Sequence, residues 1–171
     1  MPRLNSAIDL QKMRQEILAR RDGTHVVSVT NGTDGRTRGS QEVVQAFVQE
    51  LKKQGLAGRA RVKSTGCHGF CEKEPIVVIF PEEICYVEVK PEDVPEIVST
   101  TLVEKRLVDR LLYEDANGEK IAHEGEIPFY KHQRRIVFGN NRLIDPQNID
   151  DYIALGGYSA LAKVLSEISP E

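Results

Sequence analysis

Apolar positions along this chain change their spacing from one segment to the next. Leu10, Met13, Ile17 and Leu18 recur at helical intervals behind Ser6, with Asp9 as a capping-box partner and Gly23 as a stop. Arg14, Arg20 and Arg21 fall off that stripe and read as a solvated face. Residues 26–29 are β-rich, and turn and breaker residues fill positions 31–39. Ser40 is expected to cap a second helix carrying Val43, Val44, Phe47, Val48 and Leu51, closed by Gly55. A short strand is expected around Val62. Residues 76–80 form a continuous apolar run, suited to a strand buried on both faces, and Pro81-Glu82-Glu83 turns it back into residues 84–89. Pro91 fits the first turn of a third helix bearing Val94, Ile97, Val98 and Leu102.

A strand–helix–strand unit followed by a hairpin and a packing helix predicts an α/β fold built on a layered sheet, with the first helix as an addition. The pattern changes after Val103. Residues 108–113 and Lys120-Ile121, split by Ala116-Asn117-Gly118, suggest a small hairpin or extended arm. Residues 131–135 are a basic patch, read as solvated, beside Ile136-Val137-Phe138. Asp145-Pro146 predicts a helix start, Gly156-Gly157 its stop, and a last helix carries Leu161, Val164, Leu165 and Ile168.

The 171 residues carry a net charge of only −3 with both signs interspersed, which argues against a nucleic-acid or membrane surface. No apolar run approaches the ~20 residues of a membrane-spanning helix. The N-terminus lacks the apolar core of a signal peptide, and three cysteines do not suggest a disulfide framework. The expectation is a soluble cytoplasmic protein.

Candidate chemistry lies in Cys67-His68-Gly69-Phe70-Cys71, two thiols on a glycine-bearing loop. Thiolate is the ligand preferred by iron–sulfur clusters and zinc, yet such a centre normally takes four ligands. The remaining cysteine, Cys85, reads as a small buried residue on a strand. Cys67 and Cys71 could be half of a metal site completed by another chain, a reversible disulfide, or inert thiols in a degenerate loop. His68 is expected to be an exposed loop residue. His25, His123 and His132 have no partner at metal-binding spacing, and no catalytic triad, acid pair or phosphate loop stands out.

The sequence resembles the N-terminal part of the 51 kDa-type flavoprotein subunit of NADH dehydrogenases, in the version that carries a thioredoxin-like [2Fe–2S] ferredoxin domain in front. The matching stretches run from Met1-Pro2-Arg3-Leu4-Asn5-Ser6 through the Cys67–Cys71 loop to Lys90-Pro91-Glu92-Asp93-Val94-Pro95-Glu96-Ile97-Val98, Ile127-Pro128-Phe129-Tyr130-Lys131-His132-Gln133 and Ile144-Asp145-Pro146. Asp150-Asp151-Tyr152-Ile153-Ala154-Leu155-Gly156-Gly157-Tyr158 closes the set.

This resemblance implies a thioredoxin-like ferredoxin domain at residues 1–103 and, at 104–171, the mostly helical opening of an FMN- and NADH-binding domain. Where the family supplies two further cysteines, this chain has Thr30 and Gly35. The flavin and nucleotide contacts of the family lie beyond Glu171. The expectation is an accessory or vestigial electron-transfer module of an NADH-linked redox complex, non-catalytic alone. It would hold no stable cluster, FMN or NADH, and would have other subunits as partners or self-associate through its C-terminal segment. The rivals are a ferredoxin whose [2Fe–2S] ligands a partner completes, a thiol–disulfide protein using Cys67 and Cys71, and a structural docking domain.

Overall fold

The computed structural model describes residues 4–21 and 23–169. Its helices and strands, in chain order, are α1 (Ala7–Ala19), β1 (His25–Thr30), α2 (Thr33–Thr37), α3 (Ser40–Lys53), β2 (Ala60–Thr65), β3 (Val77–Phe80) and β4 (Ile84–Tyr86). They continue with α4 (Val94–Ile97), β5 (Tyr113–Glu114), β6 (Lys120–Ile121), α5 (Pro128–Lys131), α6 (Ile149–Ala154) and α7 (Ser159–Glu167). Compactness divides the chain into two units: residues 24–145, and the residues before Thr24 together with those from Pro146 onward.

In the larger unit the sheet order is β2-β1-β3-β4. β1 and β2 are parallel, joined by the α3 crossover; β3 runs antiparallel to β1 and β4 antiparallel to β3. This is the layered α/β sheet that the order of apolar runs predicts, in the thioredoxin-like arrangement that the resemblance implies. Alternation along the strands gives the sheet two faces. Val27, Val29, Val77, Ile79 and Tyr86 pack with Val43, Phe47 and Leu51 of α3 and with Val94, Ile97, Val98 and Leu102. Those last four ride on one helical run: a 3₁₀ turn at Pro91–Asp93, then α4, then a π-helical turn at Val98–Val103. Pro95 is accommodated because it lies in the first turn of α4. The Tyr86 hydroxyl, buried under this layer, meets Thr101 Oγ1 at 2.6 Å and accepts from the Val108 N–H at 3.1 Å, so its polar end is satisfied.

The other face carries Val78 and Cys85, with Ile76, Val87 and Phe70 alongside, and is covered by Ile127 and Tyr130 from the arm beyond β6. Cys85 is fully buried there, as expected. Toward β2 this face turns polar. Ser28 Oγ donates to the Arg142 carbonyl at 2.9 Å and Lys63 Nζ to that of Leu143 at 2.6 Å, so residues 141–143 lie across it as a strap. The short β5–β6 hairpin forms where the Asn-Gly turn places it.

Several local expectations are corrected. Residues 33–37 form α2 within the expected turn region. Ser40 is the first residue of α3 and not its cap, because Gly39 takes the preceding position at φ +90°. In the smaller unit, Ser6 accepts from the Asp9 N–H at 3.2 Å, as expected, but Asp9 reaches back to the Asn5 N–H at 3.0 Å. α6 begins four residues after Asp145, because the Asn148 side chain accepts from the Asp150 N–H at 3.0 Å and makes the cap. Arg14 donates to the Ala154 carbonyl at 3.1 Å and Arg21 pairs with the buried Asp151 at 2.7 Å. Neither lies on a purely solvated face. Leu10 and Ile17 of α1 pack with Ile153 and Ala154 of α6, while α7 has no buried residue. Among the described residues no helix is long and apolar enough to cross a membrane.

Candidate functional site at the Cys67 loop

Parallel strands deliver their following loops to one edge of a sheet. Thr30 and Thr65, the last residues of β1 and β2, are register partners, so the segments after them meet. The Asn31 N–H bonds the Thr65 carbonyl at 2.9 Å, and its side-chain amide donates to Ser64 Oγ at 2.8 Å and Gln41 Oε1 at 2.9 Å. A β-carbon at Gly32 would stand 3.3 Å from Cys67 Cβ, which shows how closely the two loops approach.

Within the second loop, Cys67 Sγ and Cys71 Sγ lie 3.5 Å apart and both are free thiols. Gly69, at φ +95°, turns the chain between them and donates its N–H to Cys67 Sγ at 3.1 Å. The Asp34 carboxylate of α2 faces Cys71. That contact, the neighbouring Cys67 and burial push the Cys71 thiol up to about 12. Glu74 is only 2% exposed and neither carboxylate oxygen has a hydrogen bond of ordinary geometry. Burial pushes its pKa up, and the adjacent Cys67 thiol, His68 and Arg38 only partly offset this.

Positions 30 and 35 are occupied in ways that oppose ligation. Thr30 Oγ1 is spent on Ile76, the residue before β3: it accepts from the Ile76 N–H at 2.9 Å and donates to the Ile76 carbonyl at 3.4 Å. A β-carbon at Gly35 would fall 2.5 Å from Ser40 Oγ, 2.8 Å from Glu74 Oε2 and 3.0 Å from the Thr30 carbonyl. The residues present therefore do not fit a cluster held by four thiolates, and among the described residues no group of three or more His, Cys, Asp or Glu side chains is arranged to hold a metal ion.

His68 is corrected from exposed to buried, at 1% exposure. Its Nε2 lies 3.1 Å from Thr65 Oγ1 and its Nδ1 3.5 Å from Glu124 Oε1, an ion-pair spacing longer than a good hydrogen bond. Glu124, wholly buried, is also bound by Arg142 Nη1 and lies 3.6 Å from Arg135 Nη1. Burial alone would raise its pKa, but His68, Arg142 and Arg135 overcome that and hold the carboxyl at about 2. Arg135 also covers the Tyr130 ring at 4.6 Å, so the basic patch at 131–135 is not wholly solvated. The Asn141 amide donates to the Cys67 carbonyl at 3.2 Å. The thiol loop is thus fastened from beneath by Glu124 and Arg142 and from the side by Asn141. Sequence reasoning missed these residues and Glu74, since no local pattern marks a lone acid or amide for burial.

Residues 15–102, half of the chain, match the thioredoxin-like [2Fe-2S] ferredoxin family, and the chain belongs to that family. It is 39% identical over 75 residues to a 2Fe-2S ferredoxin of Clostridium pasteurianum, covering 44% of this chain and 74% of the relative. A crystal structure of a cysteine-to-serine variant of the thioredoxin-like [2Fe-2S] ferredoxin from Aquifex aeolicus superposes with a TM-score of 0.50 at 32% identity, covering 53% of this chain and 99% of that one. A shorter likeness, 61% identity over 36 residues, links 21% of this chain to 7% of the NADP-reducing hydrogenase subunit HndC of Solidesulfovibrio fructosivorans.

Proposed function

We propose that this chain is an accessory electron-transfer module of a cytoplasmic NADH-linked oxidoreductase complex, and that alone it holds no [2Fe–2S] cluster, FMN or NADH. Cys67 and Cys71 are the retained half of a ligand set whose other half stood at Thr30 and Gly35. The observation that carries this reading is the filled space at Gly35, where Ser40 Oγ and Glu74 Oε2 occupy the volume a ligand side chain would enter. Family membership supports descent from electron carriers, and the likeness to HndC supports work inside a multi-subunit complex. Residues 104–171 are read as the opening of a flavin domain and the region through which partners dock. Two thiolates cannot complete two tetrahedral irons. The test is iron and acid-labile sulfide analysis after anaerobic purification and reconstitution. Substoichiometric iron is expected. About two irons and two sulfides per chain, retained through gel filtration, would overturn the reading. For the complex, a tagged chain expressed in its source organism should co-purify with NADH-oxidising activity; a chain recovered alone would count against it.

A further inference from the structure

The same loop supports a chemistry that needs no metal. Two free thiols sit 3.5 Å apart, on a turn that Gly69 bends, in a loop that Asn141 and His68 hold in place. A disulfide needs its sulfurs at about 2.05 Å, so closing the bond asks for a local approach of the two side chains and no rearrangement of the sheet. The sulfurs are also flanked by acid. Asp34 lies against Cys71, and the buried Glu74 carboxyl lies against Cys67.

We propose that Cys67 and Cys71 form a reversible dithiol–disulfide couple that exchanges electrons with low-molecular-weight disulfides and thiols. In the oxidising direction Cys67 sulfur, whose negative charge the Gly69 N–H supports, attacks a small disulfide such as oxidised glutathione. The Cys67–glutathione bond forms, the glutathione disulfide bond breaks, and the departing thiolate takes the proton that Cys67 gives up. Cys71 sulfur then displaces the second glutathione from Cys67. The intramolecular bond forms, the mixed disulfide breaks, and the second thiolate takes the Cys71 proton. The dithiol has lost two electrons and two protons, and one small disulfide has become two thiols.

The test uses the full chain, purified with a chelator and equilibrated in oxidised and reduced glutathione. Thiol counting and intact mass are the readouts. The oxidised chain should show one free thiol, the buried Cys85, with no adduct and no cross-linked dimer. Cys71→Ser should instead retain one glutathione on Cys67. Three free thiols at every ratio, or a stable glutathione adduct on the unaltered chain, would overturn the proposal. None of these results depends on whether the chain docks in a complex, so this inference and the proposed function can fail separately.

Discussion

Glu74 Oε2 lies 2.8 Å from the place where a β-carbon would stand at Gly35. The missing side chain at position 35 and the buried Glu74 carboxyl therefore belong to one packed contact. A side chain restored at position 35 has to displace Glu74 and Ser40, both of which are buried.

Cluster rescue should follow from that packing. Thr30→Cys with Gly35→Cys alone is expected to take up no more iron than the unaltered chain. Adding Glu74→Ala and Ser40→Ala should open the space and raise iron content and visible absorbance together. Gly35→Ala alone should cost about 1–3 kcal/mol in urea unfolding through overpacking. A double-cysteine variant that loads fully would show that the loop yields easily.

Glu124 should govern stability in acid. Its folded pKa is depressed from 4.5 to about 2, so its contribution is fully present above the unfolded value and is lost as pH falls from about 4.5 toward 2. At about 1.36 kcal/mol per unit, the contribution is on the order of 3 kcal/mol. Glu124→Gln should therefore destabilise the chain at pH 7, because Arg142 and Arg135 lose a buried counter-charge. The gap between variant and unaltered chain should close in denaturant melts near pH 2.

Glu74 has the opposite sign. Its raised pKa means that folding favours the neutral acid, so stability falls as pH rises through and above the ordinary glutamate range. Glu74→Gln is expected to be more stable than the unaltered chain at pH 7 and equal to it below pH 4. Thermal melts across this range would contradict the account if the variant were less stable at neutral pH.

FMN and NADH should not bind the 171-residue chain. Phosphate recognition calls for backbone N–H groups from a glycine-rich loop opening a helix, and the paired glycines here, Gly156 and Gly157, follow α6 as its stop. Titration calorimetry should show no micromolar binding, and an artificial acceptor should show no NADH turnover.

Apolar surface on α7 should seek a partner. Leu161, Val164 and Leu165 are all exposed, Leu165 at 77%, and burying such area returns about 25 cal/mol per Å². Light scattering is expected to show concentration-dependent association, which Leu161→Glu with Leu165→Glu should abolish. A monomer whose α7 amides are as protected from exchange as those of β3 would contradict this.

The strands were legible because a sheet core writes itself as short apolar runs, and residues 76–80 could hardly be anything else. The two cysteines were legible as a pair because ligand spacing is local. What was hidden is what distant residues do. His68 is buried because Thr65, Glu124 and, through Glu124, Arg142 give its nitrogens a charged and hydrogen-bonding setting. No window of sequence around position 68 contains that information. The start of α6 was misplaced for a milder reason: two capping signals compete within four residues, and Asn148 wins.

The strap formed by residues 141–143 changes what counts as a separable piece. A chain cut after residue 103 would keep the family-matching region, yet His68 would lose Glu124, the Cys67 carbonyl would lose Asn141, and Ser28 and Lys63 would lose their backbone acceptors. Ile127 and Tyr130 would leave Val78 and Cys85 uncovered. The interior of the family-matching region is thus completed by the sequence that follows it, and a cut at residue 103 opens that interior to water.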